Sequence, residues 1–342
     1  MPEPRDVLSL RLKRQAAGCA ELGSPFYASL LEKSAADLEG EGVVRQVLRG
    51  FEHESAWAAL ALRMMGAVHR LVLLHELPEL APHYPSTGGD GDPDAAWPIF
   101  KEALVDRRDE IRKLMARGCQ TNEVGRSAAL IGGFLAVAHR TKLPLRLLEV
   151  GASAGLNLRW DKYRYESTAG AWGEESSPVR FDHAFDVPPP LNRSADVLER
   201  KGCDLEPIDS ASEEGALTLR SFVWADQLSR LALLDGAISI AREMPLEIEQ
   251  LDAATFLERE LASPVPGVAT LVFHSVFMQY VSAEGRKRIL GAIENAEDKA
   301  TPVAPVDYLR MEPNNGTFEV RLGRELVATS RAHGTGVRWL VS

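Results

Sequence analysis

The sequence predicts an α/β protein: a doubly wound sheet with a closing antiparallel edge, preceded by an all-α N-terminal domain. Three observations lead to this prediction. Residues 1–140 carry apolar side chains at helical spacing. The apolar run Leu145–Val150 has the length of a buried strand and meets a turn rich in glycine. From there on, predicted strands alternate with helices until strands alone end the chain, so we place a second domain at residues 141–342.

The composition limits the class of function. The 342 residues suit two domains, and an apolar content of 45% is enough to fill their cores. The net charge of −10 disfavours general binding to nucleic acid or to an anionic membrane, because both need a basic surface. We expect no metal site, since the cysteines and histidines show no ligand spacing, and a cytoplasmic location, since the first residues do not resemble a signal peptide.

Helices are predicted for most of the first domain. They fall within residues 8–17, 26–31, 53–75 and 94–117. Ser24-Pro25 and Asp94 have the residue types that begin helices. His69 lies in the third helix, and we expect a histidine on an apolar helix face to be structural. Residues 80–93 are rich in Pro, Gly and Asp and are predicted to form a loop.

A polar segment, residues 120–126, leads into an apolar helix predicted over residues 127–140. One of its polar residues can cap that helix by accepting hydrogen bonds from first-turn amides. Arg126 has no part in such a cap. We expect it at the ligand edge of the sheet, paired with the carboxylate of a cofactor. Gly132-Gly133 inside the helix predicts close packing on the sheet, because glycine otherwise costs about 1 kcal/mol there.

The end of the first strand is the point around which the second domain is organised. Gly151 and Gly155 frame a Gly-x-Ser-x-Gly turn, where missing Cβ atoms let the chain bend sharply and a ligand approach the backbone. A helix-competent segment follows, and free N–H groups at its start would favour an anionic or strongly polar group. Glu149 lies at the end of the buried strand, where a carboxylate is costly unless it meets a cation or several donors. The ammonium of an amino acid would satisfy it.

The chain after this turn leaves two questions open. Residues 166–196 are rich in Gly, Ser, Pro and Asp and form an insertion that is either a lid over the site or a surface excursion. The stretch before Asp204 is charged, whereas Leu217–Trp224 is a better apolar strand and is followed by Asp226. Either acid could bind hydroxyl groups of a ligand, since a carboxylate accepts two hydrogen bonds at once. Asp226 could instead cap a helix over residues 227–243.

The remaining strands follow from apolar runs. We predict them within residues 245–251, 267–281, 306–313, 318–322 and 336–341. Asp252 follows the first of these and suits a helix cap as well as a ligand contact. His274 lies at the end of the second, where ligands collect in open α/β sheets.

The acid-x-Gly-x-Ser-x-Gly pattern that begins at Glu149 resembles the first motif of class I S-adenosylmethionine-dependent methyltransferases. The resemblance implies a Rossmann-like sheet of the class I methyltransferase type and S-adenosylmethionine as cofactor. It implies that Glu149 holds the cofactor's ammonium, that Asp204 or Asp226 binds the ribose, and that Asp252 reaches the adenine. We therefore expect the cofactor site to comprise Glu149, Gly151, Ser153, Gly155, Asn157, Asp204, Asp226, Asp252 and Arg126.

The motifs taken together resemble the bacterial DUF2332 family, a family of unknown function with a methyltransferase-like second half. The resemblance spans nearly the whole chain. It rests on residues 120–126, 148–158 with Asp161 and Tyr163, 202–209, 223–227 and 274–276. It supports the predicted fold and leaves the substrate open.

Three functions compete. The first is methyl transfer to a small-molecule or peptide-like acceptor, in which the protein mainly aligns donor and acceptor and His274 is the candidate base. The second is a serine hydrolase, because the turn around Ser153 also matches the nucleophile turn of α/β-hydrolases and His274 or His333 follows it. Against it, the first 140 residues predict helices, and Glu149 would have no task. The third is a non-catalytic protein that keeps the cofactor pocket.

Overall fold

The computed structural model describes residues 4–40, 42–54 and 58–341, with side chains from residue 7 onward. The chain forms two compact units. The helical unit comprises Met1–Thr121 and Glu213–Ala232, and the sheet unit comprises Asn122–Ser212 and Leu233–Ser342. This division differs from the predicted boundary at residues 140 and 141. The helix before the first strand belongs to the sheet unit, and a later segment of the chain belongs to the helical unit.

Helices make up the helical unit. They are α1 (Pro4–Glu21), α2 (Pro25–Glu39), α3 (Val43–Leu48), α4 (Leu60–Leu73), α5 (Pro93–Asp106), α6 (Arg108–Met115) and α8 (Glu213–Phe222). The helix predicted over residues 53–75 is the shorter α4, and Trp57 in its predicted first turn lies outside the described residues. The helix predicted from Asp94 is divided into α5 and α6. Its cap is Asp92, whose carboxylate accepts hydrogen bonds from the amides of Asp94 and Ala95.

The helical unit encloses one continuous apolar core. Gly66 of α4 contributes to it through its lack of a side chain, because a Cβ there would lie 2.9 Å from the ring of Phe222 in α8. The strand predicted over Leu217–Trp224 is therefore wrong. Glu213 and Glu214 lie in the first turn of a helix, where acids are favourable, and the apolar residues that follow pack against other helices.

The sheet unit contains a large, mostly parallel sheet. Its strands are β1 (Leu145–Val150), β5 (Phe185–Val187), β6 (Val197–Asp204), β7 (Ile248–Gln250), β8 (Ala269–Ser275), β9 (Val306–Asn314), β10 (Thr317–Leu322), β11 (Glu325–Ser330) and β12 (Val337–Trp339). Among the described residues they pair in the order β5-β12-β11-β10-β9-β8-β1-β6-β7. The helices of this unit are α7 (Arg126–Thr141), α10 (Ala253–Glu260), α11 (Ala283–Asp298) and most of α9 (Leu228–Glu243).

The strand predicted at Leu145–Val150 is confirmed. All six residues of β1 are buried, and the strand pairs in parallel with β6 on one side and β8 on the other. The antiparallel edge is confirmed as well, since β9, β10, β11 and β12 pair antiparallel in succession. One of these strands, β11, was not among the predicted ones.

The charged stretch before Asp204 is a strand, β6, which corrects the preference for the apolar run downstream. Its charges have partners from distant parts of the chain. Nε of Arg146 in β1 lies 2.6 Å from Oε2 of Glu199, and Nζ of Lys201 lies 3.0 Å from Oε2 of Glu260 in α10. Such pairs remove the penalty that unpaired charges would have in a central strand.

The predicted insertion has its own structure. It contains β2 (Arg164–Ser167), β3 (Gly170–Trp172) and β4 (Arg180–Phe181), which form a second, three-stranded sheet. Its later part forms β5, which pairs with β12 at the edge of the large sheet farthest from β7. That part of the insertion is therefore a component of the sheet and not a lid.

The two glycines in α7 pack on the sheet, as predicted. A Cβ on Gly132 would lie 2.3 Å from the ring of Trp339, and a Cβ on Gly133 would lie 2.4 Å from Leu309. Just before α7, the backbone of Gly125 crosses that of Gly334. A Cβ on Gly125 would lie 2.2 Å from the carbonyl oxygen of His333, so this crossing requires glycine.

Candidate functional site

The strand order places a topological switch point between β1 and β8. From β1 the chain continues to β6 and β7 on one side, and from β8 it continues to β9 on the other. In open α/β sheets, ligands bind in the crevice outside the carboxyl ends of the strands at such a point. The glycine turn follows β1, and His274 and Ser275 end β8, so both sequence motifs lie at this crevice.

The turn after β1 is a tight left-handed bend. Gly151, Ser153 and Gly155 have φ angles of +67°, +53° and +65°, in the region that favours glycine. A Cβ on Gly151 would lie 2.3 Å from Cδ2 of Phe277, and a Cβ on Gly155 would lie 2.6 Å from Cδ1 of Ile248. Gly151 therefore faces the crevice under an aromatic ring, and Gly155 packs against β7.

Four backbone amides of the bend are engaged within the protein. The amide of Ala152 donates to the carbonyl oxygen of Cys203, and that of Gly155 donates to the carbonyl oxygen of Ala152. The amide of Ser153 donates to Oδ2 of Asp204, and that of Leu156 donates to Oδ1 of Asn122. The segment that follows is a short 3-10 helix, Asn157–Lys162, in place of the expected α-helix. Binding of an anion or strongly polar group by amides at this helix start stays a prediction.

Glu149 is the most unusual residue of the site. Its side chain is 2% exposed, and Oε2 has no hydrogen-bond partner among the described residues. Burial raises the pKa of Glu149 well above its usual value; the carboxylate of Asp204 adds to the rise, and the guanidinium of Arg159 opposes it. A buried acid with an unsatisfied oxygen is costly, so this atom marks a place where a donor or a cation would be stabilised.

The polar segment before α7 packs against the bend and does not cap α7, whose cap position is Gly125. Oδ1 of Asn122 accepts the amide of Leu156 at 2.8 Å. Asn157, predicted as a cofactor ligand, is 1% exposed; its Oδ1 accepts the hydroxyl of Ser127 at 2.6 Å. Both asparagines therefore hold the bend in place.

Arg126 lies at the carboxyl edge of the sheet, where the sequence predicted it. Its Nη1 donates to the carbonyl oxygen of Ser275 at the end of β8, and its Nε donates to that of Ala332, each at 3.3 Å. Its pairing with a cofactor carboxylate stays a prediction.

The two candidate ribose acids lie in different units. Asp204 ends β6 beside the bend, where Oδ2 accepts the amide of Ser153 at 2.9 Å. Asp226 belongs to the helical unit, and its carboxylate accepts hydrogen bonds from the hydroxyl of Ser24 and the amide of Phe26 at the start of α2. Asp226 thus stabilises a helix start, and Asp204 is the acid at the crevice.

Asp252 follows β7 and caps α10. Its carboxylate accepts the amide of Thr255 at 3.1 Å, which confirms the cap interpretation. Its carboxylate also lies 3.7 Å from Nη1 of Arg288. The hydrogen bonds from Thr255 hold the pKa of Asp252 below its usual value, against the opposing effect of burial. Contact with an adenine stays a prediction for this residue.

His274 is fully buried between two polar neighbours. Its Nε2 lies 2.6 Å from the hydroxyl of Tyr308 in β9, and Nδ1 lies 3.0 Å from Oε1 of Glu312. Glu312 also accepts the amides of Phe277 and Met278, at 2.9 Å each. These contacts make His274 a structural anchor for the segment after β8 and leave it no exposed face for proton transfer to a substrate.

Sequence reasoning missed the conformation of the segment after β8. Val276 has a φ of +54°, an uncommon conformation for a β-branched residue, and it directly precedes the ring that covers Gly151. Strain of this kind is concentrated at functional sites. The sequence placed the end of the strand at His274 and the site beyond it, but no residue pattern indicated the conformation of Val276 or the ring of Phe277 over Gly151.

Two further properties concern the described residues as a whole. None of their helices is long and apolar enough to cross a bilayer. Nor do they contain a group of three or more His, Cys, Asp or Glu side chains arranged to hold a metal ion.

Of the comparisons with known proteins, only the comparison with family models gives a match. No curated protein and no solved structure shows significant similarity to the chain. The family model described as "Uncharacterized protein conserved in bacteria (DUF2332)" matches residues 10–339. The chain therefore belongs to the DUF2332 family.

Proposed function

We propose that the sheet unit binds S-adenosylmethionine and transfers its methyl group to a small-molecule or peptide-like acceptor. One observation carries the proposal. Oε2 of Glu149, buried at the switch point, has no partner among the residues that the structure describes. An amino-acid ammonium is a cation with several donors, so it would satisfy that oxygen and favour the ionised carboxylate.

The fold supports this proposal in its strand order. Numbered along the chain within the parallel part of the sheet, the strands β7, β6, β1, β8 and β9 run 3-2-1-4-5. This is the order of the doubly wound nucleotide-binding sheets. A Rossmann-like sheet of the class I methyltransferase type is the form that the proposal assigns to it.

The chemistry of the bend favours this cofactor over a dinucleotide. A pyrophosphate needs free backbone amides at the start of a long helix, and here the amides of Ser153 and Leu156 are engaged and a long helix does not follow. Glu149 and Asp204 present carboxyl groups, which suit an ammonium and ribose hydroxyls. S-adenosylmethionine carries both of these groups and no phosphate.

The residues would act by binding and orientation. Glu149 would hold the ammonium, Asp204 the ribose, and Arg126 the carboxylate. The bound sulfonium supplies a methyl group that is already activated, so alignment with the acceptor is the main task of the protein. The ring of Phe277 covers Gly151 in the structure, so the proposal requires that ring to turn aside for the cofactor to reach the bend.

Thermal unfolding with added ligand tests the proposal. A ligand at 100 times its Kd stabilises a protein by about 2.7 kcal/mol, so S-adenosylmethionine and its demethylated product should both raise the Tm, and NAD at the same concentration should not. No shift with either would refute the proposal. Methyl transfer to a cell extract, lost in Gly151→Arg, then separates an enzyme from a non-catalytic binding protein.

A serine hydrolase remains a second candidate because of one observation: the φ of +53° at Ser153 suits a nucleophile turn. The remaining geometry is unfavourable, since Nε2 of His274, the nitrogen that a base turns to its serine, faces Tyr308. A fluorophosphonate probe that labels Ser153 would support this candidate.

A further inference from the structure

A serine–histidine pair in the helical unit has no part in the proposed function. His69 of α4 is fully buried, and both of its ring nitrogens have partners. Nδ1 lies 3.1 Å from the carbonyl oxygen of Ser221, and Nε2 lies 2.8 Å from Oγ of Ser86. Ser86 belongs to the Pro-, Gly- and Asp-rich loop and is partly exposed. The pair thus links a buried ring to a residue that solvent reaches.

The partners of His69 determine where its proton is. A backbone carbonyl can only accept a hydrogen bond, so Nδ1 carries the proton and donates to Ser221. Nε2 then has a free lone pair, and the hydroxyl of Ser86 donates to it. Burial lowers the pKa of His69 to about 4, so the ring is neutral near pH 7 and is a weaker base than a solvated imidazole.

This is the arrangement of an activated nucleophile. A hydroxyl lies within hydrogen-bond distance of an imidazole, and a third group holds the imidazole in the right tautomer. Here the carbonyl of Ser221 has the position that a carboxylate has in a serine–histidine–aspartate triad. A structural histidine needs its polar atoms satisfied as well, so the reactivity of Ser86 is what distinguishes the two interpretations.

A further polar group lies beside the pair. The ring of Tyr84 packs against that of His69, with 5.7 Å between their centroids. Tyr84 is fully buried, and its hydroxyl has no hydrogen-bond partner among the described residues. An unsatisfied buried donor is costly, so the packing around the pair leaves one polar atom uncompensated.

We propose that Ser86 is a nucleophile that attacks small acyl esters, with His69 as its general base and the Ser221 carbonyl as the orienting group. Oγ of Ser86 bonds to the acyl carbon as its proton passes to Nε2 of His69. The ester C–O bond then breaks, and the alcohol leaves with that proton. Water, deprotonated by Nε2 in the same way, attacks the acyl-serine and releases the carboxylic acid and the free hydroxyl.

Labelling of the full chain with a fluorophosphonate probe, followed by peptide mapping, tests the proposal. We expect the label on Ser86, its loss in Ser86→Ala, and its retention in the matched control Ser153→Ala. His69→Gln should slow labelling by about 10²-fold or more if it folds. Whether or not that variant folds, wild-type protein unfolded in urea should lose the labelling, because activation depends on the folded pair.

Three results would overturn the proposal: a folded wild-type chain without label on Ser86, a label on Ser153 alone, or equal labelling rates in native and urea-unfolded protein. As a second readout, p-nitrophenyl acetate followed by an acid quench should trap an acetyl group on Ser86 in the wild type, and this group should be missing in Ser86→Ala. Because both readouts are independent of S-adenosylmethionine, this proposal can fail while the methyl-transfer proposal stands, and the reverse.

Discussion

The substitution Glu149→Gln should change stability and ligand binding in opposite directions. Burial and the nearby Asp204 raise the pKa of Glu149 in the folded protein, whereas the unfolded chain ionises near the usual value of 4.5. As pH rises above that value, the unfolded state releases a proton that the folded state still holds. Stability therefore falls by about 1.4 kcal/mol per pH unit until the folded carboxyl also ionises.

Glutamine keeps the shape of the side chain and has no proton to lose in this range. The free energy of unfolding of the variant minus that of the wild type should therefore increase by about 1.4 kcal/mol per pH unit above about pH 4.5. Its affinity for S-adenosylmethionine should fall, because a hydrogen bond to a charged group contributes about 1.5–3 kcal/mol. That loss corresponds to a Kd that rises roughly 10- to 150-fold.

Two measurements suffice for this test. Urea unfolding from about pH 5 to about pH 8 gives the stability difference, and calorimetry gives the Kd. Glu199→Gln on the neighbouring strand is the matched control. Burial opposes its ionisation, but Lys201 and Arg146 outweigh burial and hold its pKa below the usual value. The ionised Glu199 carboxylate therefore stabilises the folded protein at neutral pH, and this effect is lost as pH falls. Glu199→Gln should accordingly be less stable than wild type at neutral pH, and the difference should shrink in acid.

The reasoning fails under either of two results. If the stability difference for Glu149→Gln is the same at every pH, the carboxyl ionises alike in the folded and unfolded states. If the affinity for S-adenosylmethionine does not change, the ammonium is not held by Glu149.

Three further predictions concern packing, access and the ribose acid. Gly132→Ala should destabilise the protein by about 1–3 kcal/mol in thermal unfolding, because its Cβ would meet the ring of Trp339. The control Gly291→Ala, whose Cβ meets nothing within 4 Å in α11, should stabilise it by about 0.5–1 kcal/mol. Phe277→Ala should lower the Kd for S-adenosylmethionine in calorimetry, because it uncovers Gly151. Asp204→Asn should raise that Kd, whereas Asp226→Asn should leave it unchanged and lower stability by about 1 kcal/mol through α2.

Each of these has a contrary outcome. A stabilised Gly132→Ala would mean that α7 does not pack closely on the sheet. A higher Kd in Phe277→Ala would mean that the ring contacts the cofactor and does not cover its place. Weaker binding in Asp226→Asn with normal binding in Asp204→Asn would move the ribose to the other acid.

The strands illustrate how far the sequence determines the fold. Leu145–Val150 was predictable because burial on both faces selects an unbroken apolar run. The strand Val197–Asp204 was not, because its charges are compensated by Arg146 and Glu260, which lie far away along the chain. The apolar run that was preferred over it became a helix, because period alone does not separate a short buried strand from a buried helix.

The candidate site shows the same limit. The position of Glu149 and the glycine bend followed from local residue types. Asp204 stayed an alternative to Asp226, because the strand that precedes it was not predicted. The hydrogen bond from Leu156 to Asn122, the ring of Phe277 on Gly151 and the pairing of Ser86 with His69 all join residues that are distant in sequence. No local sequence pattern encodes such contacts. They nevertheless determine which amides, rings and hydroxyls can contact a ligand.

The discontinuous helical unit has a consequence for biosynthesis. Its core includes Trp224 and Ala225, so the ribosome must add about 110 residues after Thr121 before the unit is complete. At roughly 5–20 residues per second, this takes about 6–22 s. During that time the nascent chain exposes the apolar surface around Gly66 that later receives Phe222, which makes it a substrate for chaperones. A premature stop codon between these segments would release a polypeptide in which neither unit is whole.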